Sequence, residues 1–170
     1  MAGVTFRKRE TDVTPDRRED MSESGIYARY ASFLDRHVQL GVAQGRVLSV
    51  AFPDAPDAAA DADHELLDRI EAYLDGEPDE FADVRVALTL PTEKREVLEA
   101  TRGLPYGRDA TVDQLARMVP GDDPEADHAR VREALAANPA PVFVPSHRVR
   151  DGPGGAPPDV VEKLRALEGL

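Results

Sequence analysis

The residues of this chain best placed to do chemistry lie in one segment, Asn138-Pro139-Ala140-Pro141-Val142-Phe143-Val144-Pro145-Ser146-His147-Arg148-Val149. A glycine-rich run from Asp151 to Gly155 follows it. A hydroxyl and an imidazole stand side by side at Ser146 and His147, the two groups that nucleophilic catalysis most often pairs. Their adjacency argues against an acyl-transfer triad, because neighbouring residues on an extended strand point to opposite faces. The sequence contains no cysteine, which removes disulfides, thiolate nucleophiles and thiolate metal sites together. His64-Glu65 begins like a zinc-protease motif, but Asp68 stands where the second histidine belongs, so no metal is expected there.

A chain of 170 residues suffices for one domain or two small ones sharing an interface. Hydrophobic residues make up 41%, and no apolar run approaches the roughly 18 residues of a membrane span. The N-terminus has no apolar secretory stretch, so a cytoplasmic protein without membrane contact is expected. The formal net charge of -12 is wrong for an ordinary DNA-binding domain. Acidic residues number 33, while lysine occurs only at Lys8, Lys94 and Lys163. That usage is similar to cytoplasmic proteins of salt-accumulating archaea. At molar salt the Debye length falls to about 3 Å, so acidity need not exclude nucleic acid. Counterion release then contributes less, and DNA affinity must rest on shape and stacking. An acidic soluble protein that never meets DNA fits the charge equally well.

Periodicity sets the elements around the segment. Residues 1–22 carry mixed charge and few apolar residues and are expected to be disordered, with Met21 as an alternative start. Ile26 to Ala31, His37 to Ala43 and Arg46 to Phe52 alternate apolar and polar residues, with Gln44-Gly45 as a hairpin break, and predict an antiparallel meander. Leu66, Leu67, Ile70, Tyr73 and Leu74 predict a helix over His64 to Leu74, closed by Gly76. Val84 to Leu90 reads as a strand-like connector. Thr92 is the expected N-cap of a helix over Glu93 to Thr101, and Thr111 that of a helix over Val112 to Met118. Helices over Glu125 to Ala137 and Pro158 to Leu167 follow, with a short strand at Val142 to Val144 between them. The expected class is α+β: a disordered tail over 1–22, an N-terminal domain over 23–90, and a helix-turn-helix-like domain over 91–170.

The segment from Asn138 to Val149 resembles, nearly residue for residue, the active-site motif of the alkylguanine-DNA alkyltransferases, and the resemblance runs from about Gly25 to Leu170. It implies a ribonuclease-H-like N-terminal domain and a winged-helix C-terminal domain. Members of that family flip a damaged guanine out of the duplex and move its alkyl group onto a cysteine thiolate. The matching places here are Ser146 for the acceptor, His147 and Glu168 for the proton relay, Asn138 for the joint between recognition helix and loop, and Arg148 for the brace. Arg148 also counts, beside Val112, His128, Ala129 and Arg130, among the expected DNA-binding residues. The family's arginine finger falls on Ala129, flanked by His128 and Arg130. Its phosphate-turning tyrosine falls on Val112, and its lid is reduced to Pro153-Gly154-Gly155-Ala156-Pro157-Pro158.

Oxygen is a harder and poorer nucleophile toward an alkyl carbon than a thiolate, and a hydroxyl ionises far less readily than a thiol of pKa about 8.5. Alkyl transfer is therefore not expected, and Ser146 reads first as a small polar residue filling the old pocket. His128, Arg130 and Arg132 share their helix with Glu125, Asp127 and Glu133, so a solvated face competes with a DNA contact surface. Three functions stay open: a non-catalytic reader of alkylated or distorted double-stranded DNA, an interaction module without DNA binding, and an enzyme of altered chemistry at Ser146. The first is preferred, as a monomer without cofactor or metal that marks alkylated guanine for other repair proteins. Alkyltransferase-like proteins are its precedent, although they keep the arginine finger.

Overall fold

The alternating segments build the sheet. β1 (Gly25–Ala31), β2 (Arg36–Ala43) and β3 (Arg46–Ala51) pair antiparallel in the order β1-β2-β3, as the alternation predicts. The computed structural model describes residues 24–170, so the tail expected over 1–22 lies outside the described residues. In β2, Val38, Leu40 and Val42 face the core. β3 breaks strict alternation, since Val47 and Val50 are both buried. Gly41 faces Ser49 and Val42 faces Val47, so Leu48 is the extra residue of a bulge and turns outward. Gln44 and Gly45 have φ of 54° and 75°, the paired positive values of a two-residue hairpin turn.

α1 (Glu65–Leu74) buries Leu67, Ile70, Tyr73 and Leu74. His64 caps it, its Nδ1 accepting the Leu66 N–H at 3.0 Å. The connector expected over Val84 to Leu90 is no strand: Val86 makes an isolated parallel bridge to Val47, through Val47 N–H to Arg85 and Ala87 N–H to Val47.

α2 (Thr92–Arg102) buries Val97, Leu98 and Thr101. Thr92 is not its N-cap. Pro91, with φ -53° and ψ 150°, already holds the entry, and Thr92 becomes the first helical residue without a side-chain cap bond. α3 (Val112–Ala116) is shorter than expected but fully capped. Thr111 accepts the Gln114 N–H at 3.0 Å while the Gln114 side chain accepts the Thr111 N–H at 2.9 Å. α4 (Pro124–Ala136) starts from the Asp123 cap, and α5 (Pro158–Glu168) ends at Gly169, whose φ is 80°.

Two further expectations fail at the motif. Val142 to Val144 is a tight turn closed by a Pro141–Val144 bridge, with Val142 at φ 84°. Pro139, Pro141 and Pro145 strip three N–H donors from this stretch, so it cannot run as a ladder strand. Ser146–Arg148 is a single 3-10 turn and not extended chain, so the opposite-faces argument does not apply to Ser146 and His147.

One buried apolar cluster runs from Leu34 to Leu164 through both halves of the chain. Polar links reinforce it: the Val50 N–H donates to Pro139 O at 2.9 Å, and Lys163 Nζ to Leu34 O at 3.2 Å. Arg36 pairs with both carboxylate oxygens of Asp159 at 3.0 and 3.1 Å. The sheet therefore holds the proline-rich segment and the base of α5. Replacing Thr111 by Ala should cost about 1 kcal/mol in urea unfolding. An unchanged midpoint would mean that Asp151, which accepts the Val112 N–H at 2.7 Å, secures the α3 terminus alone.

Candidate functional site

Ser146 is fully buried. Its Oγ accepts from Asn138 Nδ2 at 2.9 Å and donates to Gly154 O at 2.5 Å. Asn138 sits just beyond α4 and also donates to Val144 O at 2.9 Å and accepts from the Ala140 N–H at 3.0 Å. It thus joins the end of α4 to the turn that carries Ser146. The glycine run closes over the hydroxyl: a Cβ on Gly155 would stand 3.1 Å from Ser146 Oγ and 3.0 Å from Asn138 Cβ, in a backbone at φ 71°. The serine proton is thus donated to a neutral carbonyl.

His147, Arg148 and Glu168 form a second, separate cluster. In α5, Val160, Leu164 and Glu168 recur every four residues on the buried face, so the helix carries the carboxylate inward on an apolar stripe. Glu168 Oε2 takes His147 Nε2 at 2.8 Å, Arg148 Nη2 at 2.9 Å and the Tyr73 hydroxyl. Oε1 takes Arg148 Nε at 2.8 Å and the Gly107 N–H at 3.1 Å. Arg148 also donates to Leu104 O at 2.7 Å, and Arg165 to His147 O at 2.8 Å. Among the described residues His147 Nδ1 has no hydrogen-bond partner.

Burial raises the Glu168 carboxyl, but hydrogen bonds from His147, Arg148 and Tyr73 outweigh it and hold the group well below the usual carboxylate range. Burial lowers the His147 imidazole, and the Glu168 hydrogen bond only partly opposes this. The pair is therefore a carboxylate and a neutral imidazole whose Nε2–H donates to Oε2. Burial and the Glu168 charge push the Tyr73 phenol up, so it stays a donor.

The family resemblance implied Ser146, His147, Asn138, Arg148 and Glu168 as one site, and the structure brings all five into adjoining clusters. It missed Tyr73, which the α1 stripe marks only as core, although a buried phenol must find a partner. Arg148 belongs to the buried cluster, 2% exposed, and is no DNA-facing residue. Val112 is likewise 1% exposed, held by its place on the inner face of α3. Ala129 is exposed on α4. Arg130 does not stand in for a finger there: it folds back onto Pro120 O at 2.6 Å and Asp127 at 3.3 Å. His128 Nε2 lies 3.0 Å from Asp113. Among the described residues no group of three or more His, Asp or Glu is placed to hold a metal ion, and no helix is long and apolar enough to cross a membrane.

The motif, the capped helix pair and the buried His–Glu–Arg cluster all lie within one stretch that matches a known family. Residues 92–168 match the family described as 6-O-methylguanine DNA methyltransferase, DNA binding domain. A methylated-DNA–protein-cysteine methyltransferase of Methanopyrus kandleri is 37% identical over 108 residues, 62% of this chain and 78% of that protein. The chain belongs to this methyltransferase family. Solved structures share the fold. The Mycobacterium tuberculosis O6-methylguanine methyltransferase superposes with a TM-score of 0.62 at 19% identity, covering 85% of this chain and 93% of that one. The protein from the same organism in complex with DNA gives 0.63 at 20%, covering 85% and 92%. The O6-methylguanine-DNA methyltransferase of Pyrococcus kodakaraensis gives 0.60 at 22%, covering 86% and 100%.

Glu168→Gln should cost about 3–5 kcal/mol in urea unfolding, because it leaves the Arg148 guanidinium buried without its counter-charge. Acid should also destabilise the fold in two stages. Both groups have folded values below their unfolded ones, so their contribution is complete above about pH 6.5. It first falls below about pH 6.5, where the unfolded histidine takes a proton that native His147 refuses. It falls again below about pH 4.3, where the unfolded glutamate does the same. In urea titrations across pH, His147→Asn should flatten the first stage and leave the second.

Proposed function

We propose that this protein is a non-catalytic member of the family that binds alkylated or distorted double-stranded DNA and contributes to repair without taking the alkyl group. The observation that carries the reading is Ser146: oxygen stands at the acceptor place, and its hydroxyl is spent between Asn138 and Gly154. On this reading residues 91–170 act as a winged-helix reader built on α3 and α4, and residues 23–90 as a ribonuclease-H-like support. The family match over residues 92–168 supports the choice of DNA as ligand. The charge of -12 suits binding at high salt, where the Debye length of about 3 Å screens repulsion.

A second reading, an interaction module without DNA binding, draws on one observation. The exposed place on α4 holds Ala129, and Arg130 is tied back to the linker.

The test is a titration of labelled duplexes, with and without O6-methylguanine, in molar potassium chloride. Tighter binding of the lesion duplex by about tenfold, equivalent to about 1.4 kcal/mol, is the expected result. No binding to any duplex at any salt would favour the second reading. Intact-mass measurement after incubation should show no added methyl group, and a stoichiometric gain of one would overturn the non-catalytic assignment.

A further inference from the structure

We infer that Tyr73 is a positioning residue for the Glu168–His147 pair: its hydroxyl competes for Glu168 Oε2 and keeps the pair as carboxylate and neutral imidazole, with the ring proton on Nε2. The N-terminal half of the chain thereby sets the proton state of a cluster otherwise built by the C-terminal half. The inference does not depend on the DNA reading.

The argument starts from what an ionised carboxylate oxygen can do, which is only accept. Tyr73, His147 and Arg148 all converge on Oε2, so each must donate to it. His147 Nε2 therefore carries the proton, and Nδ1 keeps a buried lone pair with no hydrogen-bond partner among the described residues. The Tyr73 oxygen also lies 3.4 Å from His147 Nε2. Turned toward the ring, the phenol would favour the opposite tautomer. Its donation to Glu168 instead lowers the basicity of that carboxylate, and a less basic carboxylate holds an imidazolium less well.

The phenol is not free to choose another partner. Tyr73 is 1% exposed, and Phe81 and Tyr106 meet its ring edge-on at 5.5 and 6.0 Å. Phe81 in turn meets Phe143 at 5.1 Å and lies under the Arg69 guanidinium at 5.2 Å. Arg69 is itself clamped by Asp79 and Asp83. An aromatic ladder thus runs from α1 to the proline-rich segment and fixes where the hydroxyl points. The other charged groups facing His147 are Arg148 beside it and Arg165 from α5, and both disfavour a protonated ring.

The test is imidazole 15N NMR of the full chain across pH, with the His147 signals assigned by His147→Asn. The parent should show one tautomer, protonated at Nε2, and a His147 that resists protonation. In Tyr73→Phe the His147 titration should move upward by about half a pH unit or more, the equivalent of one hydrogen bond. Tyr106→Phe, on the other side of the ring stack, should leave it in place. A Tyr73→Phe protein of lower stability but unchanged His147 titration would overturn the inference, since that is what packing alone predicts. Should Tyr73→Phe fail to fold, the parent decides: the Tyr73 hydroxyl proton should be slowly exchanging, strongly downfield and close to the His147 ring. Absence of that resonance would overturn the inference equally.

Discussion

The Glu168 carboxylate is the interaction on which the rest of the site depends. It sits in the last turn of α5, where the helix dipole is negative and a carboxylate is disfavoured. Burial adds a second penalty, since its side chain is sealed from solvent. Only the donors around it reverse the sign. They come from α1 through Tyr73, from the turn before α3 through Gly107, and from the motif through His147 and Arg148. The guanidinium fork matters most, because a buried ion pair is tolerated where both oxygens and the remaining protons find partners. Arg148 meets that condition, with Leu104 O taking a third donor. Glu168 thus ties the motif, the α2–α3 linker and α1 to one carboxylate.

Against that fixed cluster, the change at position 146 is local. A serine hydroxyl fits between Asn138 and Gly154 as donor and acceptor at once, which a thiol does more weakly. The hydroxyl thereby links the end of α4 to the glycine run. The glycines are part of the same closure: besides Gly155 over the hydroxyl, a Cβ on Gly154 would meet Val161 at 2.3 Å. The Ser146 hydroxyl is thus packed between Asn138 and the glycine run.

Sequence pattern gave away whatever rests on periodicity. The sheet and α1 follow from alternation or from apolar spacing, whereas Glu168 lies beyond the helix expected over Pro158 to Leu167 and was legible only through the family resemblance. Boundaries governed by backbone chemistry were less legible. At Thr92 the entry is set by Pro91, and at Val142 the three prolines override β-branched propensity. Roles that depend on direction could not be read at all. Tyr73 follows the α1 stripe like any core residue, and periodicity reports burial but not where a hydroxyl points. Motif position alone could not separate Arg148 as a brace from Arg148 as a DNA contact; its 2% exposure does.

The remaining tension is between an acidic chain and a DNA-binding domain. Its resolution turns on α4, whose outward face carries Glu125, Ala129, Arg132, Glu133 and Ala136. Opposite charges alternate there, so the face offers no basic stripe for phosphates at low salt. Val112 is buried on the inner face of α3 and Arg130 is tied to Pro120, so neither side chain is held out from the surface. On the proposed reading, a duplex this surface takes is one already easy to deform, because the protein supplies little of the work of deformation. Alkylated or mispaired sites have that property, since their stacking and pairing are already weakened. On the proposed reading, a reader without finger or sulfur selects by the cost of distorting the duplex and holds what it finds without altering it.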